Sequence, residues 1–292
     1  MLKPSAKFAG GLLLLLAAMA LGVWSLLFSL EEKDALSLNV FDVGQGDALF
    51  LETPDHYQIL IDGGPGDDIG RKLGGVMAFW DREIDLVILT HPHADHVGGL
   101  VDVLKRYRVG AVIESNANYS TAEYGEWNRL KGEKNIFSHT ATAGMRVEVG
   151  RYTTLEILSP FESAGGRTLA NVHDASVAAR VHFGRTNFLL MGDAENKIER
   201  ELSRRGALAH TDVLKVGHHG SRTSSSEGFL RQTTPQVALI SVGGKNRYGH
   251  PHQEVLDRLR QYSGRIWRTD ENGDILITTK GETVETVAAR SN

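Results

Sequence analysis

The stretch Thr90–Gly99 reads THPHADHVGG and follows a run of four aliphatic residues. Within it, three histidines and one aspartate fall in six consecutive positions. A short apolar run that ends in a polar loop predicts a buried strand that delivers the loop to the edge of a sheet. Imidazole nitrogens and carboxylate oxygens are ligands for zinc and other first-row divalent ions. The spacing predicts that His91 and His93 hold one ion. Asp95 and His96 are predicted to hold a second.

Three further predicted strands end in side chains of the same type. The segment ILIDGG carries Asp62, FLLMGDAE carries Asp193, and DVLKVGHHGS carries the neighbouring pair His218 and His219. In layered α/β folds the carboxyl ends of the strands are where sites are built. Each residue alone is also explained as a helix cap, a turn or a hydrated loop. Together they favour a dinuclear metal centre, and Asp193 is well suited to bridge the two ions.

The composition narrows the class of function. The chain has 292 residues and no cysteine, which excludes disulfides, thiolate metal sites and a cysteine nucleophile. The formal net charge of -4 argues against a broad basic face for duplex nucleic acid. A small cationic pocket for a single phosphate remains compatible with this charge.

The N-terminal region has the pattern of a membrane segment. An uncharged run of 23 residues covers Phe8–Leu30, and as a helix it would be about 34 Å long, enough to cross a hydrocarbon core of about 30 Å. Lys3 and Lys7 precede the run and acidic residues follow it, which favours the N-terminus inside and the remainder outside. We expect residues 1–30 to be an uncleaved signal-anchor that leaves the rest of the chain extracytoplasmic. Cleavage near Ala18 and secretion are the alternative.

The five motifs together resemble a known family. THPHADH is similar to the HxHxDH signature of the metallo-β-lactamase fold. FDVGQGDA, ILIDGG, THPHADHVGG, FLLMGDAE and DVLKVGHHGS, in this order, resemble the C-terminal extracellular domain of the competence protein ComEC and its stand-alone relatives. The resemblance covers roughly Leu36–Val287. It implies a metallo-β-lactamase-like hydrolase domain of the α/β class over residues 36–288, a four-layer αββα sandwich with metal ions at one edge, preceded by the single membrane helix.

The resemblance also implies roles for the metal-binding residues. The ligands of the two sites correspond to His91, His93, Asp95, His96 and, as the bridge, Asp193. One histidine of the pair at 218 and 219 matches the last ligand, and we prefer His218 because it comes first after the strand. Asp62 matches an aspartate that would orient a ligand histidine, and Asp47 is a candidate for a similar role.

One ligand position of the superfamily is ambiguous. Many members have a histidine between the HxHxDH loop and the bridging aspartate, where this chain reads NVHDAS from Asn171. His173 could supply that ligand, or Asn171 could face the site. His173 as an ordinary surface histidine is the other interpretation.

The residues around the predicted centre favour an anionic substrate. Glycine-rich loops with cations and hydroxyl groups are typical of phosphate pockets. The candidates for binding substrate are Lys215, Ser221, Arg222, Lys245 and Arg247. His250, in a stretch that reads GHPH, is a candidate for protonating a leaving oxygen, and Asp95 is a candidate for orienting a water molecule.

These observations predict a membrane-anchored, metal-dependent hydrolase that acts on a phosphate-containing substrate, as a phosphodiesterase or nuclease. Two divalent ions are expected, with zinc preferred and manganese as the alternative. By the resemblance, the substrate could be DNA during uptake. A hydrolase of an envelope phosphoester such as phosphocholine, or a non-catalytic accessory subunit of a DNA-uptake system, are the alternatives.

Overall fold

The structure is a computed structural model that describes residues 6–29 and 35–289. The chain divides into two compact units between Asp34 and Ala35. The first unit contains helix α1, Ala6–Ser29. Among the described residues, no helix combines the length and the apolarity that a membrane crossing requires. The predicted signal-anchor and the membrane localisation deduced from it are therefore wrong. Lys3 and the acidic residues Glu31, Glu32 and Asp34 lie outside the described residues.

The described part of the second unit, residues 35–289, contains fifteen strands in two sheets. The strands are β1 Leu36–Val40, β2 Leu49–Glu52, β3 Gln58–Ile61, β4 Glu83–Leu89, β5 Arg108–Glu114, β6 Phe137–Thr140, β7 Arg146–Val149, β8 Thr153–Ser159, β9 Ala178–Phe183, β10 Thr186–Leu190, β11 Val213–Lys215, β12 Val237–Ile240, β13 Arg265–Arg268, β14 Asp274–Thr279 and β15 Val284–Ala289. The first sheet has the order β15-β14-β1-β2-β3-β4-β5-β6, and the second has the order β13-β12-β11-β10-β9-β8-β7.

Helices cover the outer faces of both sheets. They are α2 Asp68–Val76, α3 Ala94–Arg106, α4 Ala122–Glu133, α5 Asn196–Arg204, α6 Glu227–Thr233, α7 Gln253–Tyr262 and α8 Thr269–Asn272. The core between the two sheets contains Leu38 of β1 and Phe188 of β10. A second core packs α2, α3 and α4 on the first sheet, and a third packs α5, α6 and α7 on the second sheet. The predicted α/β class, with helices over a pair of sheets, is confirmed.

The parallel strands decide where the loops meet. β3, β4 and β5 run parallel in the first sheet, and β10, β11 and β12 run parallel in the second. Leu86–Leu89 of β4 are all buried, as expected for a central parallel strand covered on both faces. The loop after β4 leads directly into α3, whose Val97 and Leu100 anchor it on the first sheet. The polar residues that follow these strands are thereby brought to one edge.

Candidate metal centre

A first cluster of donor atoms surrounds one oxygen of Asp193. The Nε2 atom of His91 lies 2.9 Å from Nδ1 of His93 and 3.6 Å from Oδ2 of Asp193. His173 approaches the same oxygen with Nδ1 at 3.7 Å, and His218 approaches it with Nε2 at 3.8 Å. Donor atoms of His91, His93 and His173 all lie within 4.8 Å of one another. Of the two interpretations of His173, the structure therefore favours the one that places it at the centre.

A second cluster surrounds the other oxygen of Asp193. Oδ1 of Asp193 lies 3.5 Å from Nε2 of His96 and 3.4 Å from Nε2 of His219. Oδ2 of Asp95 lies 3.6 Å from Nε2 of His219 and 4.0 Å from Nε2 of His96. Asp193 thus presents one carboxylate oxygen to each cluster, which is the arrangement that a bridging ligand requires.

The chemistry of these atoms fits bound cations. Within the described part of the chain, four buried side-chain atoms of the two clusters lack a hydrogen-bond partner: His96 Nε2, His173 Nδ1, Asp193 Oδ1 and His219 Nε2. Buried polar atoms are normally paired, because leaving one unpaired is destabilising. Nitrogen and oxygen donors that converge without a partner are the set that a divalent ion satisfies.

Asp62 orients His96. One carboxylate oxygen of Asp62 lies 2.7 Å from Nδ1 of His96, and the other accepts a hydrogen bond from the backbone N–H of Thr90 at 2.8 Å. Asp62 and His96 are fully buried. With Nδ1 engaged, the His96 ring is held with Nε2 towards the second cluster, as in many metal sites where a carboxylate fixes a histidine ligand. This position is the one predicted for Asp62.

Asp47 and Lys215 form a buried ion pair behind His219. Nζ of Lys215 donates to Oδ2 of Asp47 at 2.6 Å, and both side chains are 1% exposed. Oδ1 of Asp47 lies 3.3 Å from Nδ1 of His219, which also lies 2.9 Å from the carbonyl oxygen of Ser241. The role predicted for Asp47, to support a ligand histidine, stays a prediction. The prediction that Lys215 binds substrate is wrong, because its ammonium group is enclosed and already paired.

Glu195 positions the ring of His218, and it was not among the site residues predicted from the sequence. Oε1 of Glu195 lies 3.2 Å from Nδ1 of His218 and accepts a hydrogen bond from Thr223 at 2.6 Å. Asn171 does not face the metal clusters, because its Nδ2 donates to Oε2 of Glu195 at 2.9 Å and its Oδ1 accepts from the backbone of His173. The only sequence signal for Glu195 was its place two residues after Asp193.

Both histidines of the neighbouring pair reach the centre, but in different clusters. His219 lies beside Asp95 and His96, whereas His218 lies beside His173. The pair thus offers a donor to each cluster, and the preference for His218 as the last ligand stays a prediction. The two residues have φ values of 47° and 53°, a left-handed conformation that is rare outside glycine. This backbone turns consecutive side chains towards two neighbouring points.

An open cavity of about 330 Å³ lies over the two clusters. Besides six residues of the clusters, its wall contains Gln45, Ala94, Tyr119, Thr121, Tyr248 and His250. Each of the two tyrosines lies against a histidine ring. The ring centres of Tyr119 and His93 are 5.2 Å apart, and those of Tyr248 and His250 are 5.7 Å apart. Neither tyrosine was predicted, although Tyr248 directly precedes the GHPH stretch.

The remaining predicted substrate residues stand outside the wall of this cavity. Ser221 is buried, and its hydroxyl lies 3.0 Å from that of Thr223. Arg222 is exposed and lies 3.5 Å from Glu254. Lys245 is exposed, and the exposed Arg247 lies over the ring of Tyr248. The placement of these four residues does not support the predicted pocket for a phosphate.

His250 lines the cavity, but its charge state differs from the predicted one. Burial and the neighbouring rings of His218 and His219 lower the pKa of His250 to about 4. An acid that protonates a leaving oxygen must carry its proton at the working pH. At neutral pH the ring of His250 is neutral, so it is suited to accept a hydrogen bond rather than to donate a proton to a leaving oxygen.

The electrostatics divide the histidines into two groups. Burial lowers the pKa of His173 to about 4 and that of His91 well below its usual value, so these rings keep free lone pairs at neutral pH. Burial acts in the same direction on His219, but the carboxylates of Asp193 and Asp47 outweigh it and raise the pKa to about 10. A proton on His219 thus neutralises part of the negative charge of these carboxylates, as a bound cation would.

We therefore expect zinc binding at pH 7 to release protons. His219 has a raised pKa and is protonated at pH 7, and it must lose that proton before its Nε2 can bind an ion, so about one proton or more leaves per protein. For the same reason the affinity for zinc rises as the pH rises from 7. Titration calorimetry in buffers of different ionisation enthalpy measures the release, and His219→Gln should release fewer protons. A binding enthalpy that does not depend on the buffer would contradict this expectation.

The two packed sheets and the two donor clusters at their edge are together typical of a metal-dependent hydrolase fold. The model of the metallo-β-lactamase superfamily matches residues 41–245, and the chain belongs to this superfamily. It is similar to ComE operon protein 3 of Bacillus subtilis, with 31% identity over 255 residues, 82% of this chain and 32% of that protein. It is also similar to Competence protein ComA of Neisseria gonorrhoeae, with 28% identity over 273 residues, 90% of this chain and 36% of that protein. The predicted family resemblance is confirmed.

The chain spans about a third of the length of these two relatives. Among solved structures, it resembles CmlA, a diiron β-hydroxylase from Streptomyces venezuelae, with a TM-score of 0.54 and 14% identity. That match covers 87% of this chain and 54% of CmlA. At this level of identity, the likeness concerns the fold.

Proposed function

We propose that this protein is a metal-dependent phosphodiesterase that hydrolyses nucleic acid. The observation that carries the proposal is the position of Asp193, which offers one oxygen to each of two donor clusters beneath an open cavity. A pair of cations so placed suits the oxygens of a phosphodiester. The similarity to a protein named as a competence protein supports DNA as the substrate.

The side chains would share the ions between the two clusters. His91, His93 and His173 would hold the first ion, Asp95, His96 and His219 the second, and Asp193 both. When bound, the ions would supply a water molecule with a pKa lowered towards about 7 and positive charge for the phosphoryl oxygens. Histidine and carboxylate donors suit zinc, which we propose as the native metal, with manganese as the alternative.

Asp95 is placed to orient the attacking water. Its carboxylate belongs to the second cluster and also lines the cavity, with a side chain that is 30% exposed. Burial alone would raise the pKa of Asp95, but His96 and His219 lower it below the usual range. The carboxylate is therefore ionised at neutral pH and can accept a hydrogen bond from a water molecule, which orients that water.

Turnover of bis-p-nitrophenyl phosphate tests the proposal. We expect zinc- or manganese-loaded protein to hydrolyse this diester, and Asp95→Asn to lower kcat by about 10²-fold or more, because it removes an ionised group beside the reacting water. Asp257→Asn, an exposed aspartate on α7, is the matched control and should keep wild-type activity. Metal content of each variant is measured alongside.

Two outcomes would redirect the proposal. Protein that binds two ions but hydrolyses neither this diester nor DNA would be a non-catalytic accessory subunit. Protein that cleaves small phosphodiesters but leaves single-stranded and duplex DNA intact would instead act on a small phosphoester.

A further inference from the structure

A second cavity, of about 560 Å³, lies next to the metal centre. The two sites meet at the 3₁₀ helix Val172–Ala175, where His173 belongs to the first donor cluster and the next residue, Asp174, lines the second cavity. Nζ of Lys197 donates to Oδ2 of Asp174 at 2.5 Å and stands on the same cavity wall. The second cavity is larger than the one over the clusters, and none of the mechanism proposed above uses it.

The walls of this cavity are cationic although the chain as a whole is acidic. Five basic residues and three acidic residues line it, a local excess of two positive charges on a chain with a net charge of -4. The basic residues are Arg167, Lys197, Arg200, Arg204 and Arg205, and the acidic residues are Glu162, Asp174 and Glu201. The positive charge is thus concentrated where a polyanion could enter.

Three of the cations form a stripe along α5. Lys197, Arg200 and Arg204 are spaced by three and four residues, so they share one face of the helix, whereas Leu202 is buried on the other. The stripe extends over about 10 Å from the end nearest the metal centre. The stripe leads away from His173, so a substrate strand bound along it would continue outward from the metal centre.

The acidic neighbours leave the arginines of this cavity available, whereas Lys197 is paired with Asp174. Arg204 and Arg205 both lie near Glu201, at 2.5 Å and 2.7 Å, on the exposed face of the helix. Exposed pairs of this kind are weak and exchange readily with another anion. Among the described residues, Arg200 has no ion-pair partner.

An aromatic ring completes the cavity. The guanidinium carbon of Arg205 lies 4.5 Å from the centre of the Phe161 ring, and Phe161 itself lines the cavity. A ring beside a cationic stripe is the combination with which proteins bind single strands. An unpaired base would take the place of the Arg205 guanidinium on the Phe161 ring, while phosphates face the cations. A polymer of phosphates without bases would make no use of Phe161.

The second cavity forms a groove along α5. We propose that this groove binds a single-stranded nucleic acid whose neighbouring phosphodiester occupies the metal centre. The groove therefore supplies affinity for long substrates and plays no part in the chemical step. This inference rests on the proposed phosphodiesterase function, and it adds the path of the substrate strand and a preference for unpaired over duplex substrate.

The double variant Arg200→Gln with Arg204→Gln tests the groove. Glutamine keeps the helix propensity of arginine, so α5 should stay folded. With a fluorescein-labelled oligothymidylate of about 12 nucleotides, we expect KM to rise about tenfold and kcat to stay within about twofold, because phosphate contacts contribute to binding alone. The dependence of log(kcat/KM) on log salt should become shallower by about 1.4, since each phosphate contact on a single strand contributes about 0.7. Turnover of bis-p-nitrophenyl phosphate should not change.

The matched control is Arg106→Gln with Arg108→Gln. These two arginines are exposed and lie at the end of α3 and the start of β5, remote in sequence from the groove. Their replacement removes the same amount of charge and should leave KM for the oligonucleotide unchanged. A second readout uses Phe161→Leu, which should raise KM for oligothymidylate but not for an abasic strand of the same length.

These experiments distinguish a failure of the groove proposal from a failure of the proposed phosphodiesterase function. If the groove variant cleaves oligothymidylate with wild-type KM and salt dependence, or if duplex DNA is bound as well as the single strand, the groove proposal is overturned while the phosphodiesterase stands. If wild-type protein does not hydrolyse bis-p-nitrophenyl phosphate or DNA, the proposed function itself fails.

Discussion

Replacement of Asp193 by asparagine should abolish the binding of two ions and lower kcat/KM for bis-p-nitrophenyl phosphate by at least about 10³-fold. The carboxylate of Asp193 reaches both clusters, with Oδ1 towards His219 at 3.4 Å and Oδ2 towards His91 at 3.6 Å. Asparagine keeps the shape of the side chain but replaces one oxygen by an amide group that cannot bind a cation. It also removes the negative charge that two neighbouring cations require.

Elemental analysis after gel filtration and steady-state turnover measure the two effects together. Asp257→Asn on α7 makes the same chemical change at an exposed position and should leave metal content and turnover unaltered. An Asp193→Asn protein that still retains two ions would show that the clusters bind their ions independently, and the bridging role would have to be abandoned.

Replacement of Lys215 by methionine should lower the free energy of unfolding by about 3–5 kcal/mol. Methionine fills much of the space of the lysine side chain, but it leaves the carboxylate of Asp47 buried without its 2.6 Å partner. His219, whose Nδ1 lies 3.3 Å from the other oxygen of Asp47, would be the remaining cationic neighbour, but a buried carboxylate that loses its hydrogen-bonded ammonium group is still strongly destabilising. Urea unfolding in the presence of a chelator measures the loss at constant metal content, because a bound ion would itself add stability.

The double variant Lys215→Met with Asp47→Asn isolates the cause. With both charges removed, the loss should be smaller than for Lys215→Met alone, because no uncompensated charge remains. Arg260→Met, which breaks an exposed pair with Asp257, should change stability by no more than about 1 kcal/mol. A loss below about 1 kcal/mol for Lys215→Met would mean that Lys215 does not neutralise Asp47, and the substrate-binding interpretation would return.

Most of the fold could be predicted where the local pattern was strong. Continuous apolar runs before Asp62, His91 and Asp193 indicated buried strands, and all three residues follow a strand in the structure. The edge strand β6, Phe137–Thr140, was missed. Its sequence FSHT has no buried residue, and its pairing with β5 depends on the neighbouring strand rather than on a periodic pattern.

The direction of individual side chains could not be predicted. Lys215 and Arg222 lie close to His218 in the sequence, yet one is enclosed against Asp47 and the other points to solvent beside Glu254. Glu195 and Tyr119 contribute to the site from segments whose sequences indicate a helix cap and a loop. For these residues, the contact partner is distant along the chain, so no local pattern reports it.

The sequence by itself determined the chemical type of the centre, because the ligand residues are concentrated at strand ends, and local hydrophobic patterns place those ends at the edge of a sheet. Only the tertiary structure decided how the donors divide into two clusters, which histidine joins which cluster, and where positive charge gathers on an acidic chain. The physical reason is that these properties depend on a left-handed turn at His218 and His219 and on the packing of α5 beside a loop some thirty residues earlier in the chain.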